Sequence, residues 1–281
     1  MIHPLLRCIA RLTWLRNGLR SRLLRIFAAP QKQPHREFIQ PFFGLRYRGW
    51  LDRYIDWCVY FYGAYEASEV AFMMQQLQFL PRRTCLDIGA NVGHHSLLLS
   101  TLFAEVHAFE PYPPALAELR ERLAMNALSE RVIVHPVGLG AEDAELYFHP
   151  PQDINQGTGW FAPVKHPDAS GATRMSVCRG DLLVSHLAHI DFIKVDCECH
   201  EVPALEGLRE TLARHRPTVI LEWNFPDKPE MRERLLACLP PAYQIFTLET
   251  DRPFGPFNRP AGRLMPPRWD QCGTLWLVPS S

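Results

Sequence analysis

Four carboxylates stand at or just beyond the ends of short apolar runs: Asp87 in Cys85-Leu-Asp-Ile-Gly, Glu110 in Val106-His-Ala-Phe-Glu-Pro, Asp196 in Ile193-Lys-Val-Asp, and Glu222 in Val219-Ile-Leu-Glu-Trp-Asn. In open α/β sheets ligands bind outside the carboxyl ends of the strands, so acids in such places share a crevice. Asp87 leads into a glycine turn, Gly89-Ala-Asn91-Val-Gly93. Glycine there allows a sharp bend and close approach of a ligand, and the helix that follows presents free N–H groups. Glu110 lies about 20 residues beyond the turn, where a carboxylate grips the two hydroxyls of a ribose. Asp87, Gly89, Asn91, Gly93, Glu110 and Pro111 are therefore expected to hold a nucleoside-type cofactor. A nicotinamide cofactor fits poorly, because its G-x-G-x-x-G signature would need glycine where Asn91 and His94 stand.

The second group, Asp196, Glu198, His200 and Glu201, follows a later strand. It suits an acceptor whose proton must be removed as it reacts. His200, with an ordinary pKa of about 6.5, is expected to take that proton while Asp196 or Glu198 orients it. Alternatively, Asp196, Glu222 and Asn224 could hold a divalent cation such as magnesium, which needs only one or two protein carboxylates; the metal-free version is preferred. Glu201 also fits a plain helix-start acid. Cys197-x-Cys199 lacks the second pair that a zinc site requires.

These residues need elements to position them. From Pro81 onward apolar runs alternate with helical patterns, the signature of a parallel sheet covered on both faces. Strands are expected at 84–88, 105–109, 131–136, 190–195, 218–223, 243–248 and 274–278, with short ones at 144–148 and 174–178. Helices are expected at 94–103, 114–126 and 200–215. The fold class is α/β, a doubly wound, mostly parallel, seven-stranded sheet with an N-terminal helical extension. Three regions are expected: a basic amphipathic arm (1–36), a helical lead-in (37–80) and the sheet domain (81–281). In the arm, Leu5, Ile9, Leu12, Leu15, Leu19, Leu23 and Phe27 recur at helical spacing with arginines opposite, which predicts one helix over 4–28.

The three motifs together resemble the FkbM-type methyltransferases. "LDIGANVG" (Leu86–Gly93) matches that family's cofactor motif, and "AFEP" (Ala108–Pro111) is similar to its ribose-binding strand end. The segment from Ile190 to Leu208 resembles its signature, usually K-I-D-x-E-G-x-E. The resemblance runs from about Tyr54 to Asn224. It implies a Rossmann-like methyltransferase fold, S-adenosylmethionine as donor and a hydroxyl acceptor on a small molecule, glycan or natural product. Cys199 departs from the pattern, since the family has glycine there. The loop from Asn155 to Gly159 also resembles a family loop near the cofactor, and 152–172 and 251–267 are expected to shape acceptor specificity. The rival readings are a non-catalytic scaffold that keeps the fold and a nucleic-acid methyltransferase gripping phosphates with the basic arm.

Composition narrows these classes. Of 281 residues 47% are apolar and 21% charged, as in ordinary globular proteins. The zero net charge conceals an asymmetry. Residues 1–36 carry eight Lys or Arg and no acid, leaving the rest with 22 basic against 30 acidic residues. An acidic body disfavours nucleic acid as partner, whereas a basic amphipathic arm suits peripheral contact with anionic lipid. No apolar run reaches the ~20 residues of a membrane span, and Arg7, Arg11 and Arg16 interrupt any secretory signal. Eight scattered cysteines fit a reducing compartment. The expected location is cytoplasmic, with contact at the inner membrane surface as an option.

Overall fold

The computed structural model describes residues 3–149, 160–162, 172–250, 253–258 and 262–280. The chain begins with α1 (His3–Ala10), α2 (Asn17–Ala28), the hairpin β1 (Glu37–Phe42) and β2 (Leu45–Trp50), α3 (Tyr54–Tyr62) and α4 (Ala67–Leu77). Then come β3 (Thr84–Ile88), α5 (His94–Ser100), β4 (Glu105–Phe109), α6 (Pro113–Met125) and β5 (Val132–His135). Four short strands follow, β6 (Gly138–Gly140), β7 (Ala144–His149), β8 (Trp160–Ala162) and β9 (Thr173–Arg179), and then α7 (Gly180–Val184). The last stretch holds β10 (Phe192–Val195), α8 (Glu201–Glu206), α9 (Arg209–His215), β11 (Thr218–Trp223), α10 (Pro229–Cys238), β12 (Tyr243–Glu249), β13 (Pro253–Phe254), β14 (Phe257–Asn258), β15 (Arg263–Met265) and β16 (Gly273–Pro279). Among the described residues no helix is long and apolar enough to cross a membrane.

The chain divides into two compact units. One comprises residues 1–78 with 151–157 and 248–263. Its described core is Leu6, Ala10, Leu24, Ala28, Trp57, Cys58 and Phe61. The single helix expected over 4–28 is instead two. The break has a physical cause: the backbone between them pairs with β14 and its turn. Leu15 bridges Phe257, the Arg16 N–H donates to the Pro256 carbonyl at 3.0 Å, and the Asn258 N–H donates to the Trp14 carbonyl at 2.7 Å. The lead-in, expected to be helical in its second half, carries α3 and α4 there and opens with a hairpin. Phe43 and Gly44, both at positive φ (49° and 84°), supply the two left-handed residues of a tight hairpin turn.

The other unit holds the large sheet. Its strands run in the order β15-β12-β16-β11-β10-β3-β4-β5. β11, β10, β3, β4 and β5 are mutually parallel, and β16 is antiparallel to both β11 and β12. That is eight strands rather than the seven expected, the extra one being the three-residue edge strand β15. Every residue of β3 and β10 is buried. Their apolar side chains join a core that includes Leu86, Ile88, Ile193, Val195, Leu221 and Trp223. Chain order reverses between β3 and β10, and a doubly wound sheet opens its ligand crevice at such a switch. β6, β9, β7 and β8 form a separate four-stranded sheet. The helix expected over 200–215 is divided into α8 and α9. The sequence reading missed α10 because it buries only Leu235 and Cys238 of its ten residues, leaving no apolar stripe to read.

Candidate functional site

Register aligns the polar residues. Lys194 of β10 pairs with Asp87 of β3, so both side chains stand on one face, and Asp196 two residues on shares it. The Lys194 ammonium lies 3.0 Å from Asp196 Oδ2 and 4.0 Å from Asp87 Oδ1. Asp87 is wholly buried. Its Oδ2 accepts a hydrogen bond from the Ser96 hydroxyl at 2.6 Å, and its Oδ1 has no hydrogen-bond partner. Burial pushes its pKa up, against the pull of Lys194 and Ser96. Asp87 thus sits beneath the glycine turn, braced by β10 and α5.

Gly89 ends β3 at φ +78°, where a Cβ would stand 1.8 Å from the Asp196 carbonyl oxygen. The close approach that demands glycine is therefore β10, not only a ligand. Gly93 starts α5 at φ +87°, with a Cβ position 2.5 Å from Leu119 Cδ1. Asn91 is left-handed at φ +50°; its Oδ1 accepts the Val92 N–H at 2.8 Å, and its own N–H donates to Glu110 Oε2 at 2.7 Å. Glu110 Oε1 accepts the Tyr112 N–H, also at 2.7 Å. Each oxygen of this buried carboxylate keeps a lone pair for a hydroxyl donor. Burial, countered by those two backbone donors, raises its pKa to about 7. Pro111 is half-buried beside Gly138. The acceptor geometry fits an adenosine ribose: a fixed carboxylate with a lone pair left on each oxygen, beside a turn bounded by two left-handed glycines.

The acceptor side is a cluster of acids around one cation. Asp196, Glu201 and Glu222 each bring a carboxylate oxygen within 4.8 Å of the others. Burial would raise Asp196, but the Lys194 charge and hydrogen bonds from Lys194 and Glu222 outweigh it and leave its pKa below the ordinary value. Burial and then the Asp196 charge lift Glu222 to about 9, and Glu198 rises to about 8 for the same reasons in the same order. Glu201 is fully buried, and its pKa is raised by burial to about 7. Its Oε1 accepts the N–H groups of Cys197 (3.1 Å) and Cys199 (3.0 Å), whereas its Oε2 has no partner. Asp196 is the carboxylate that its neighbours hold ionised, beside Glu198 and Glu222, whose raised pKa values favour the protonated form at neutral pH. Asn224 is half-buried just past β11.

The turn between β10 and α8 answers the question raised by Cys199. Glu198 and Cys199 are both left-handed, at φ +55° and +66°, so cysteine adopts the conformation glycine would favour. His200, expected to work with Asp196 or Glu198, has its ring set against β6. Its Nε2 lies 3.2 Å from the Cβ position of Gly140, and the charges acting on it are Arg234 and Glu206. Burial first, then Arg234, lowers its pKa. Its ring faces β6, because the left-handed turn carries residue 200 round to the start of α8. His94 and His95 are buried in α5, and burial, Lys194 and Arg122 hold His94 neutral with a pKa of about 3. Sequence reasoning missed Lys194, Ser96 and Tyr112. Lys194 had a signal, since K-x-D at the end of a strand puts both side chains on one face. The Asn155–Gly159 loop lies outside the described residues, as do most of 152–172 and parts of 251–267.

This strand order, with its crevice between β3 and β10, is the Rossmann-like methyltransferase fold. Residues 87–239 match the Methyltransferase FkbM domain. That is more than half of the chain, and the chain belongs to this family. No curated protein matches it. Among solved structures, the methyltransferase FkbM of Methylobacillus flagellatus KT is 20% identical, with a TM-score of 0.45. The alignment covers 72% of this chain but only 45% of that one. Precorrin 8W decarboxylase from the Methanobacterium thermoautotrophicum genome is 13% identical over 75% of this chain and 90% of its own, TM-score 0.41. The ribosomal protein L11 methylase of Lactobacillus delbrueckii subsp. bulgaricus is 12% identical over 78% and 81%, TM-score 0.40.

Proposed function

We propose that the protein transfers a methyl group from S-adenosylmethionine to a hydroxyl of a small molecule, glycan or natural product. One observation carries this reading: the glycine turn and the acid cluster touch, Gly89 lying directly against the Asp196 carbonyl. A nucleoside held at Glu110 and an acceptor held at Asp196 would then be neighbours. Bound S-adenosylmethionine supplies an electrophilic methyl group. Glu110 offers two acceptor lone pairs to ribose hydroxyls, and the turn 89–93 leaves room for the ligand. Asp196, kept ionised by Lys194, can accept the proton that a hydroxyl loses as its oxygen is methylated. Placing two reactants in line is worth up to ~7–11 kcal/mol, which is the larger share of what such a site supplies. His200 is not needed in this version. Asp196→Asn should lower turnover by roughly 10²–10⁴ while leaving S-adenosylhomocysteine affinity unchanged. Full activity in that variant would refute the assignment of the proton acceptor.

A second reading is favoured by the oxygen geometry. Asp196, Glu201 and Glu222 bring carboxylate oxygens within 4.8 Å of one another, and the buried Glu201 Oε2 has no partner. Three carboxylates so arranged could bind a divalent cation that lowers the acceptor's pKa. Chelator separates the two readings: turnover survives it in the first and is lost in the second.

A further inference from the structure

The unit containing the N-terminus carries a one-sided apolar surface that its own core does not use. Helix α2 turns Arg20, Leu24 and Ala28 inward. Leu19 (39% exposed), Ile26 (54%) and Phe27 (56%) are out in solvent, and Leu23 is half-buried. At about 100° per residue, residues 19, 23, 26 and 27 fall within a single arc roughly 100° wide. Arg22 and Arg25, both exposed, lie beyond one edge of that arc, about 40° and about 100° from it, while the other edge runs into the buried seam. They share an open groove of about 460 Å³ with Gly18, Ser21, Ile26 and Lys32. Nearby in the same unit, Trp14 is 51% exposed and its ring lies 5.9 Å from that of the 46% exposed Phe257. Eleven large apolar side chains are exposed among the described residues, and eight of them belong to this unit. Scattered apolar residues on a surface need no explanation, but concentration in one unit does.

We infer that α2 lies in the interface of an anionic phospholipid surface, with Leu19, Leu23, Ile26 and Phe27 entering the acyl boundary and Arg22, Arg25 and Lys32 meeting phosphate headgroups. Two features select lipid over a protein partner. The apolar arc is followed along its solvent-facing edge by exposed guanidinium groups, the pairing of apolar and basic faces found on interfacial helices. Moreover, residues 1–36 contain no acid at all, while the rest of the chain has 30 acids to 22 bases. An anionic surface therefore attracts this face and repels the others.

The full chain is tested by flotation with vesicles of phosphatidylcholine alone and with 30% phosphatidylserine. It should float with the anionic vesicles and remain in solution with the neutral ones. Neutralising one basic side chain should weaken partitioning on the order of fivefold, so Arg22→Gln with Arg25→Gln should cost roughly 25-fold. Ile26→Ser with Phe27→Ser should cost at least tenfold, whereas Leu236→Ser, at another exposed apolar site, should change nothing. None of these substitutions touches the buried seam, and unchanged thermal melts confirm folded variants. Failure to float with anionic vesicles overturns the inference, as does binding that ignores both pairs of substitutions. Sedimentation as a dimer that Ile26→Ser dissociates, without flotation, would assign the face to a second copy of the chain instead.

Discussion

Replacing Glu110 with glutamine tests the nucleoside site at its most constrained atom pair. Both carboxylate oxygens already accept a backbone N–H at 2.7 Å, one from Asn91 and one from Tyr112. Glutamine keeps one oxygen and turns an NH₂ group towards the other N–H. The variant therefore loses one acceptor for a ribose hydroxyl and sets donor against donor in the turn. Hydrogen bonds to a charged group contribute ~1.5–3 kcal/mol, which corresponds to a roughly 10- to 150-fold rise in Kd for S-adenosylhomocysteine. Calorimetric titration at pH 8 is the appropriate assay, because burial lifts the Glu110 pKa to about 7 and the carboxylate is mainly ionised above that. The same shift fixes a sign for the wild type. Ribose hydroxyls are donors and prefer the anion, so affinity should rise as pH increases from 6 to 8. A glutamine variant that melts like the wild type and binds within twofold of it would refute the site, as would wild-type affinity that falls over this pH range.

Three further outcomes follow from the geometry. Gly89→Ala places a methyl 1.8 Å from a backbone carbonyl that has no side-chain freedom to yield, on top of the ~1–2 kcal/mol of a left-handed residue. Urea denaturation should show a loss above about 3 kcal/mol, and a loss under about 1 kcal/mol would mean that β3 and β10 separate easily. Lys194→Met strips the cation from Asp87 and Asp196 and should cost ~3–5 kcal/mol at pH 7. Because the folded pKa of Asp196 lies below its ordinary 3.8, the stability it contributes is present above pH 3.8 and lost as pH falls through the folded value. The gap between wild type and variant should therefore narrow below about pH 4; a constant gap would refute the pairing. Cys199→Gly relieves a left-handed residue at φ +66° and should stabilise by ~1 kcal/mol in urea denaturation; a destabilised variant would refute the strain.

The sheet was legible because its strands are short apolar runs ending in polar residues, and burial on both faces leaves little else for Thr84–Ile88 or Phe192–Val195 to do. The placing of Asp87 and Glu110 was legible for the same reason: they stand at the ends of neighbouring strands, beside the glycine turn. The acceptor side was not. Whether His200 faces the acids depends on two consecutive left-handed residues, Glu198 and Cys199, and their conformation is imposed by Glu201 collecting the Cys197 and Cys199 N–H groups. Nothing in residue types or spacing states that. The N-terminal helices were half legible. Their apolar period is real, but half of it faces outward, while the buried seam runs through Arg20, whose guanidinium donates to the Ala10 carbonyl at 2.6 Å. The break before Asn17 depends on backbone partners some 240 residues away in the chain.

Those distant partners decide when the first unit can be completed. Trp14, Leu15 and Arg16 take their backbone partners from 256–258, so this joint waits for residues some 240 positions further along the chain. Closing so long a loop adds little equilibrium cost, since the penalty grows only with the logarithm of length, but it raises contact order and slows folding. Until residue 258 is available, the connection between α1 and α2 has no strand to pair with, although the apolar faces of the two helices can already settle on α3. Truncation carries the same consequence in reverse. Removing residues 1–30 would delete one side of this pairing, with its bonds to the Pro256 carbonyl and the Asn258 N–H, so loss of membrane binding by such a fragment would report misfolding as readily as the loss of an anchor. Single substitutions on the outer arc of α2 leave the joint intact.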